Sequence, residues 1–459
     1  MDVPALDPYT ARMLRRTPLR PPLAALVFAA GLLHGCGAKT GLTVPDVPVD
    51  REDVADVPTP PSVLCVDEVP GAGPVRVALE TRPQLSVADV FFLIDRTGSM
   101  DGEIDNVKAN LQNTIVPQIV RAISDVQFGV ATYADFPLSP YGDRGDVPFT
   151  LVSPIDRSVS NVQGAVNSTV ASGGGDNPEA MVEALFQVAS GEGYGPWISA
   201  RSPCAGPSRS GYACFRREAL PIVVLIADAP SHNGPGARNA YTTNDFLSPS
   251  QCPPTIPNCR ASRGPHTFDE AVGALNALNA RVIGVNSGSS SLSGLADLNQ
   301  IATATSTVTA AGAPLVITIR SDGADLDARV VSAVQTFTRQ VRFNASARVL
   351  DLDPAVPASR YVRAVRPASA APADAVQRFD ESAFYGVIPG TRLTFSLELV
   401  SPLPRTRETV RVPARVQFLG DGRANLGYRD IEIVIPAVNE RCDGVAGSDG
   451  GASLDAALD

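Results

Sequence analysis

Two acids stand where apolar runs stop. The stretch DVFFLIDRTGSM (residues 89–100) leads five bulky apolar residues into Asp95, with Thr97 and Ser99 following at alternate positions. PIVVLIAD (residues 221–228) likewise ends on Asp228. A carboxylate at the end of a buried strand is costly unless something pairs with it. Arg96 points the other way by strand alternation, and no other lysine or arginine is an obvious partner. Carboxylates and hydroxyls together are hard oxygen donors, of the kind that Mg²⁺, Ca²⁺ or Mn²⁺ take. The spacing D-x-T-x-S, placed between a strand and a helix, therefore reads as a divalent-cation site. Enzymatic readings are less well supplied. A strand-end aspartate is also the phosphatase nucleophile position, but Thr97 stands where a second acid is wanted. There is no GxxxxGK phosphate loop and no GxSxG elbow. The chain has three histidines, and only His232 and His266 lie beyond the leader described below. The sequence thus reads as a binding protein rather than an enzyme. A structural scaffold with a degenerate metal site, or a hydrolase, is the alternative.

The elements around these acids alternate. DVFFLID is a continuous apolar strand of the parallel-sheet kind. Residues 101–123 repeat Ile104, Val107, Leu111, Ile115 and Ile119 at helical spacing. VQFGVATYA (126–134) and VPFTLVS (147–153) read as strands, and 178–190 as a helix opening on Pro178. PIVVLIAD is a second buried strand. Helices are expected at 267–279, 292–304 and 323–339, with a strand at RVIGVN (281–286) between the first two. Strands alternating with helices imply an α/β fold with a doubly wound, mostly parallel sheet. After residue 340 the pattern becomes period two, as in RLTFSLELV and DIEIVIP, which is a β-sandwich signature. VRVALETRPQL (75–85) has the same character. The expected plan is therefore a sandwich, built from 65–88 and 340–442, into which an α/β domain at 89–339 is inserted. By strand direction, the segment 191–219 belongs at the sheet end opposite the acids, and 229–265 beside them, where it can shape a ligand surface.

DRTGS resembles the metal-ion-dependent adhesion motif of von Willebrand factor A domains. SGGGDNPEA (172–180), LIADAPSH (225–232) and FGVATYADFPLSPYG (128–142) are similar to that family's glycine-rich loop, distal-aspartate strand and integrin β I-like stretch. The resemblance covers about residues 75–340. It implies an adhesion-site cation, Mg²⁺ or else Mn²⁺ or Ca²⁺, held by Asp95, Thr97 and Ser99 with Glu179 and Asp228. It also implies a partner protein that presents an acidic side chain. An alternative role for Glu179 is as a cap on its helix. A candidate second cation site resembles Asp135, Asp176, Glu179 and the carbonyl of Pro178, although Gly174 stands where the family has asparagine. Glu103, with Asp101 beside it and Gly102 before it, is the candidate for a flanking site. Arg144-Gly145-Asp146 reads as a turn.

The N-terminus concerns location. Basic RMLRRTPLR (12–20), apolar LAALVFAAGLL (23–33) and small Gly35 before Cys36 describe an export signal over residues 1–35. Met13 makes a cleaner start than Met1. LHGC resembles a bacterial lipobox, which implies lipid on Cys36 and an anchor in the cell envelope, with the outer membrane favoured because Gly37 is not aspartate. Residues 36–64 read as a tether, and 443–459 as a disordered tail. Six cysteines follow Cys36, an even number that suits disulfides in an exported chain. Fifteen pairings exist. Local spacing favours Cys204–Cys214 and Cys252–Cys259, leaving Cys65 for Cys442, with zinc as the alternative. A net charge of −10 argues against nucleic acid as a partner.

Overall fold

The computed structural model of the protein describes residues 61–67, 74–205, 209–246, 264–288, 293–400 and 405–442. Cys36, Cys252, Cys259 and the expected tail lie outside the described residues.

Two short strands, β1 (Ser62–Cys65) and β2 (Val75–Thr81), open the described chain. The α/β part follows. Its strands are β3 (Val87–Asp95), β4 (Asp125–Tyr133), β5 (Thr150–Asp156), β8 (Leu220–Ala227), β9 (Arg281–Asn286) and β10 (Val316–Thr318). A two-residue hairpin, β6 (Arg209–Ser210) and β7 (Phe215–Arg216), stands apart from them. The sheet order is β10-β9-β8-β3-β4-β5, parallel throughout except for β5. Seven helices cover it: α1 (Asp101–Asn110), α2 (Val116–Ala122), α3 (Val159–Val166), α4 (Met181–Ser190), α5 (Phe268–Ala277), α6 (Leu295–Ala304) and α7 (Leu326–Gln340).

The apolar run of β3 needs no alternation because both its faces are covered. Val90, Phe92 and Ile94 pack with Ile104, Ile119 and Val330 of α1, α2 and α7. Phe91 and Leu93 pack with Leu185, Leu275 and Ile301 of α4, α5 and α6. This is the doubly wound arrangement, with a helical layer on each side.

Local departures from the expected elements have visible causes. The run expected as one helix at 101–123 is interrupted by a π turn at Leu111–Ile115, which keeps both end residues buried. Helix α4 begins at Met181 rather than Pro178. The backbone of Glu179 is used elsewhere: its N–H donates to the Pro230 carbonyl and its carbonyl accepts from the His232 N–H. Thr267 and Glu270 form a reciprocal capping box that sets the start of α5. The strand expected at 147–153 lies at Thr150–Asp156, and β10 falls where no strand was expected.

The β part comprises β11 (Phe343–Asp351), β12 (Val362–Ala371), β13 (Arg378–Phe379), β14 (Phe384–Val387), β15 (Arg392–Leu399), β16 (Val410–Gly420) and β17 (Ala424–Ile435). One sheet runs β1-β17-β16-β11-β14-β13 and the other β12-β15-β2. Their inner faces meet through Leu79, Phe395 and Leu397 on one side and Val412, Phe418 and Ile433 on the other. Strand β2 pairs antiparallel with β15, so the chain enters the β part before the α/β part and returns to it afterwards. Ser62–Cys65, of which residues 62–64 were expected as the end of a tether, pairs in parallel with Ile431–Val434. Disulfides join Cys65 to Cys442 and Cys204 to Cys214.

The two parts are fastened by the β16–β17 hairpin. Its tip turns through Asp421 and Gly422, both at positive φ (49° and 69°). Asp421 pairs with Arg281 of β9, both side chains being nearly fully buried. Arg423 donates to the carbonyls of Arg216, Arg217 and Leu278, and the Asn425 N–H donates to the Glu218 carbonyl.

Candidate functional site

The carboxyl ends of β3 and β8 face a cleft of about 470 Å³, lined by Thr97, Ser99, Glu103, Asp176, Glu179 and Asp228 among others. Asp95, fully buried, is bonded to Thr97 of that lining. One of its oxygens, Oδ1, accepts from the Thr97 N–H at 2.9 Å and the Thr97 hydroxyl at 2.8 Å. The Thr97 and Ser99 hydroxyls are 3.4 Å apart.

Backbone stitching brings the separate segments together. Gly98 N–H donates to the Gly173 carbonyl, and Ser172 N–H to the Arg96 carbonyl, which ties the glycine-rich loop to the end of β3. Glu179 is laced to 230–232 beyond β8 by the two backbone bonds described above. Gly174 sits at φ 91°, and a Cβ there would lie 3.2 Å from Glu179 Oε1 and 3.3 Å from Thr97 Cβ. The position that lacks the expected asparagine is thus one where a side chain would crowd both neighbours. Glu179 caps no helix. The free N–H of Val182 in the first turn of α4 is satisfied instead by the Ser231 hydroxyl, at 3.0 Å.

Four buried carboxylate oxygens here have no hydrogen-bond partner among the described residues: Asp95 Oδ2, Glu103 Oε2, Glu179 Oε2 and Asp228 Oδ1. The Tyr133 hydroxyl, buried near Asp95, Glu179 and Asp228, is likewise unpartnered. Burial, reinforced by Asp228, raises the Asp95 pKa to about 7. Burial, reinforced by Asp95 and Asp135, pushes Glu179 up to about 11. Burial also raises Glu103, against which a bond from Ser287 acts. Acids crowded in this way, with hydroxyls and without a cationic side chain, are a donor set that fits a hard divalent cation.

A second cluster adjoins the first, and its membership differs from the expected one. Donor atoms of Asp135, Asp176 and His232 lie within 4.8 Å of one another. Glu103 is not part of it; Glu103 lies on the Asp95 and Asp228 side, where the electrostatic coupling of these three acids places it. His232 Nδ1 is 2.7 Å from the Asn239 carbonyl, which can only accept, so Nδ1 carries the proton. Nε2 then faces Asp176 Oδ1 at 3.2 Å and Asp135 Oδ2 at 3.4 Å. Asp135 Oδ2 has no hydrogen bond, while Oδ1 accepts from the Tyr241 hydroxyl and the Phe136 N–H. The His232 ring stacks on Tyr241 at 4.2 Å. Both His232 and Tyr241 come from the segment after β8.

His232 escaped sequence reasoning because two histidines suggested no metal chemistry; its only signal was its place four residues past Asp228. Asp146 was read as part of a turn. It is buried, and its Oδ2 accepts from the Asp143 N–H at 2.7 Å and the Gly174 N–H at 2.9 Å. The acid of Arg144-Gly145-Asp146 is therefore turned inward, holding the glycine-rich loop.

No family model and no curated protein matches the chain. Among solved structures it is similar to a von Willebrand factor type A protein from Catenulispora acidiphila, at 15% identity and a TM-score of 0.33, over 82% of this chain and 72% of that one. It is also similar to proximal thread matrix protein 1 from the mussel byssus, at 15% identity and a TM-score of 0.31, over 57% of this chain and 48% of that one.

Proposed function

We propose that this chain is a cation-dependent ligand-binding protein of the von Willebrand factor A type, exported and lipid-anchored at Cys36 in a bacterial envelope, on the outer membrane. Asp95, Thr97 and Ser99 hold a divalent cation, Mg²⁺ or alternatively Mn²⁺ or Ca²⁺, with Glu179 and Asp228 completing the set. When bound, the cation offers a coordination position to an acidic side chain of a partner protein. The chain's own part is positioning. Thr97 steers Asp95 through two hydrogen bonds, and the glycine-rich loop sets Glu179 against Thr97. Asp135, Asp176 and His232 form a neighbouring position for a second cation. Its imidazole nitrogen suits a borderline metal such as Zn²⁺ or Co²⁺ better than Ca²⁺. The reading is adhesive rather than enzymatic.

One observation carries this reading: three separated segments bring together four unpartnered buried carboxylate oxygens, those of Glu103, Glu179 and Asp228 in residues that line one cleft without a lysine or arginine and that of Asp95 beside them. The two disulfides are consistent with an oxidising compartment outside the cytoplasm. The test is titration calorimetry with Mg²⁺, Mn²⁺ and Ca²⁺ on the full chain and on Asp95→Ala, followed by partner capture from envelope extracts with and without EDTA. Saturable binding lost in the variant, with EDTA-sensitive capture, is the expected result. A wild-type protein that binds none of the three ions overturns the proposal.

A further inference from the structure

At the opposite end of the sheet, the chain builds a second cleft of quite different charge. Val87, at the start of β3, is in its wall, whereas Asp95 ends the same strand, roughly 26 Å away at the usual strand rise. This cleft measures about 1100 Å³ and lies between the α/β part and the β16–β17 hairpin. Five arginines line it, Arg209, Arg216, Arg217, Arg348 and Arg423, against two acids, Asp125 and Glu218. In a chain of net charge −10, such a concentration of one sign is not a sample of the average surface.

The arginines are not used up by carboxylates. Of these arginines, only Arg216 pairs with carboxylates among the described residues, those of Asp89 and Asp125. Arg423 is part-buried, and its donors go to three backbone carbonyls and, at 3.5 Å, to the Ser210 hydroxyl. Arg209 donates to the carbonyls of Ile155 and Cys214. Arg348 is exposed and donates through Nε to the Gln417 side chain, and Arg217 is exposed, its side chain making no hydrogen bond or ion pair among the described residues. Burial, with a small push from Arg217, lowers the Arg423 pKa despite the attraction of Asp89, and the groups it hydrogen-bonds are all neutral. The segment carrying Arg209, Arg216 and Arg217 is pinned by the Cys204–Cys214 disulfide, which fixes the wall before any ligand arrives.

We propose that this cleft is a binding site for a multiply charged oxyanion of the phosphate- or sulfate-ester class. Planar guanidinium groups match the oxygens of such anions in pairs. The cleft is far larger than one oxyanion, and several arginines share it, so the ligand carries at least two charges. The site is separate from the cation cleft and stands or falls without it.

The test uses the full chain and two probes, inorganic pyrophosphate and heparin, by titration calorimetry at two salt concentrations. Saturable binding that weakens with salt, and weakens about tenfold or more in Arg217→Glu/Arg348→Glu, is expected. Arg217→Lys/Arg348→Lys should retain most of it. Both variants alter exposed side chains, and unchanged melting and unchanged Mg²⁺ response confirm that they fold. Binding of pyrophosphate assigns a free small anion, and binding of heparin alone assigns the same groups on a polymer. Failure of both probes, or binding indifferent to the Glu substitutions, overturns the proposal.

Discussion

Asp95 is opposed by burial and by Asp228 more strongly than the two bonds from Thr97 support its charge, and its pKa rises from 3.8 to about 7. An acid whose pKa is higher folded than unfolded binds more protons in the folded state. Its contribution to stability is therefore largest at low pH and is lost as pH rises from about 4 to about 7. Glu179, at about 11, extends the same slope to higher pH. Cation-free protein should accordingly melt several degrees lower at about pH 8 than at about pH 5. Asp95→Asn should remove much of that drop and, in chelator at the higher pH, melt above the wild type. Scanning fluorimetry across pH checks this, and a flat wild-type profile contradicts it. Added Mg²⁺ should raise the wild-type melting temperature most where the acids are ionised, and should leave Asp95→Asn unmoved. The neighbouring cluster makes a separate residue-scale prediction. His232→Gln should weaken Zn²⁺ or Co²⁺ binding by at least tenfold while sparing the Mg²⁺ response, and Asp95→Ala should do the reverse. Calorimetry with each ion on each variant distinguishes two positions from one.

Elements differ in how plainly the sequence announces them, and the reason is where each finds its partners. Strands β3 and β8 were legible because the centre of a parallel sheet demands apolar residues on both faces, and few other contexts do. The start of α4 was not, because Pro178 and Glu179 look like a helical first turn until one knows that residues 230–232 claim the Glu179 backbone. The π turn at Leu111–Ile115 leaves an almost unbroken apolar stripe and so hides its extra residue. Strand β1 is four residues in a proline- and aspartate-rich context, and only β17 makes it a strand. Around the cleft, Asp95, Thr97 and Ser99 could be picked out by their spacing and Asp228 by its place at the end of an apolar run, whereas Glu179 was named only through the resemblance of its loop. Tyr133 and His232 could not, since their places depend on how segments cross. The Cys65–Cys442 disulfide anchors β1 beside β17 and closes a loop of 377 residues. In the chain-entropy view, closing so long a loop contributes on the order of 5 kcal/mol. Cys65→Ser/Cys442→Ser should lower the melting temperature by several degrees, and Mg²⁺ affinity should be unchanged because the cleft proposed to hold the cation lies in the α/β part. Loss of cation binding in that variant would show the sandwich supporting the site directly.

At the scale of the whole molecule, the insertion of the α/β part into the sandwich decides how the protein unfolds. The chain crosses between them twice, from β2 to β3 and from α7 to β11, so the α/β part is tied to the sandwich at both of its ends. The hairpin tip adds a third tie through Asp421 and Arg281, and a fourth through Arg423. Asp421 also accepts from the Asn344 N–H, which links the tie to the first strand after the return. Asp421→Ala leaves the Arg281 guanidinium buried, with the Ser306 carbonyl as its remaining bonded acceptor. Removing one member of a buried pair typically costs about 3–5 kcal/mol. Calorimetry of the wild type should therefore show one cooperative transition, and Asp421→Ala a lower transition or two separated ones. The cleft proposed to hold the cation, at the far end of β3, should bind Mg²⁺ as the wild type does in that variant at temperatures below the first transition. Two transitions in the wild type itself would mean that the joint couples the parts in space without coupling their folding.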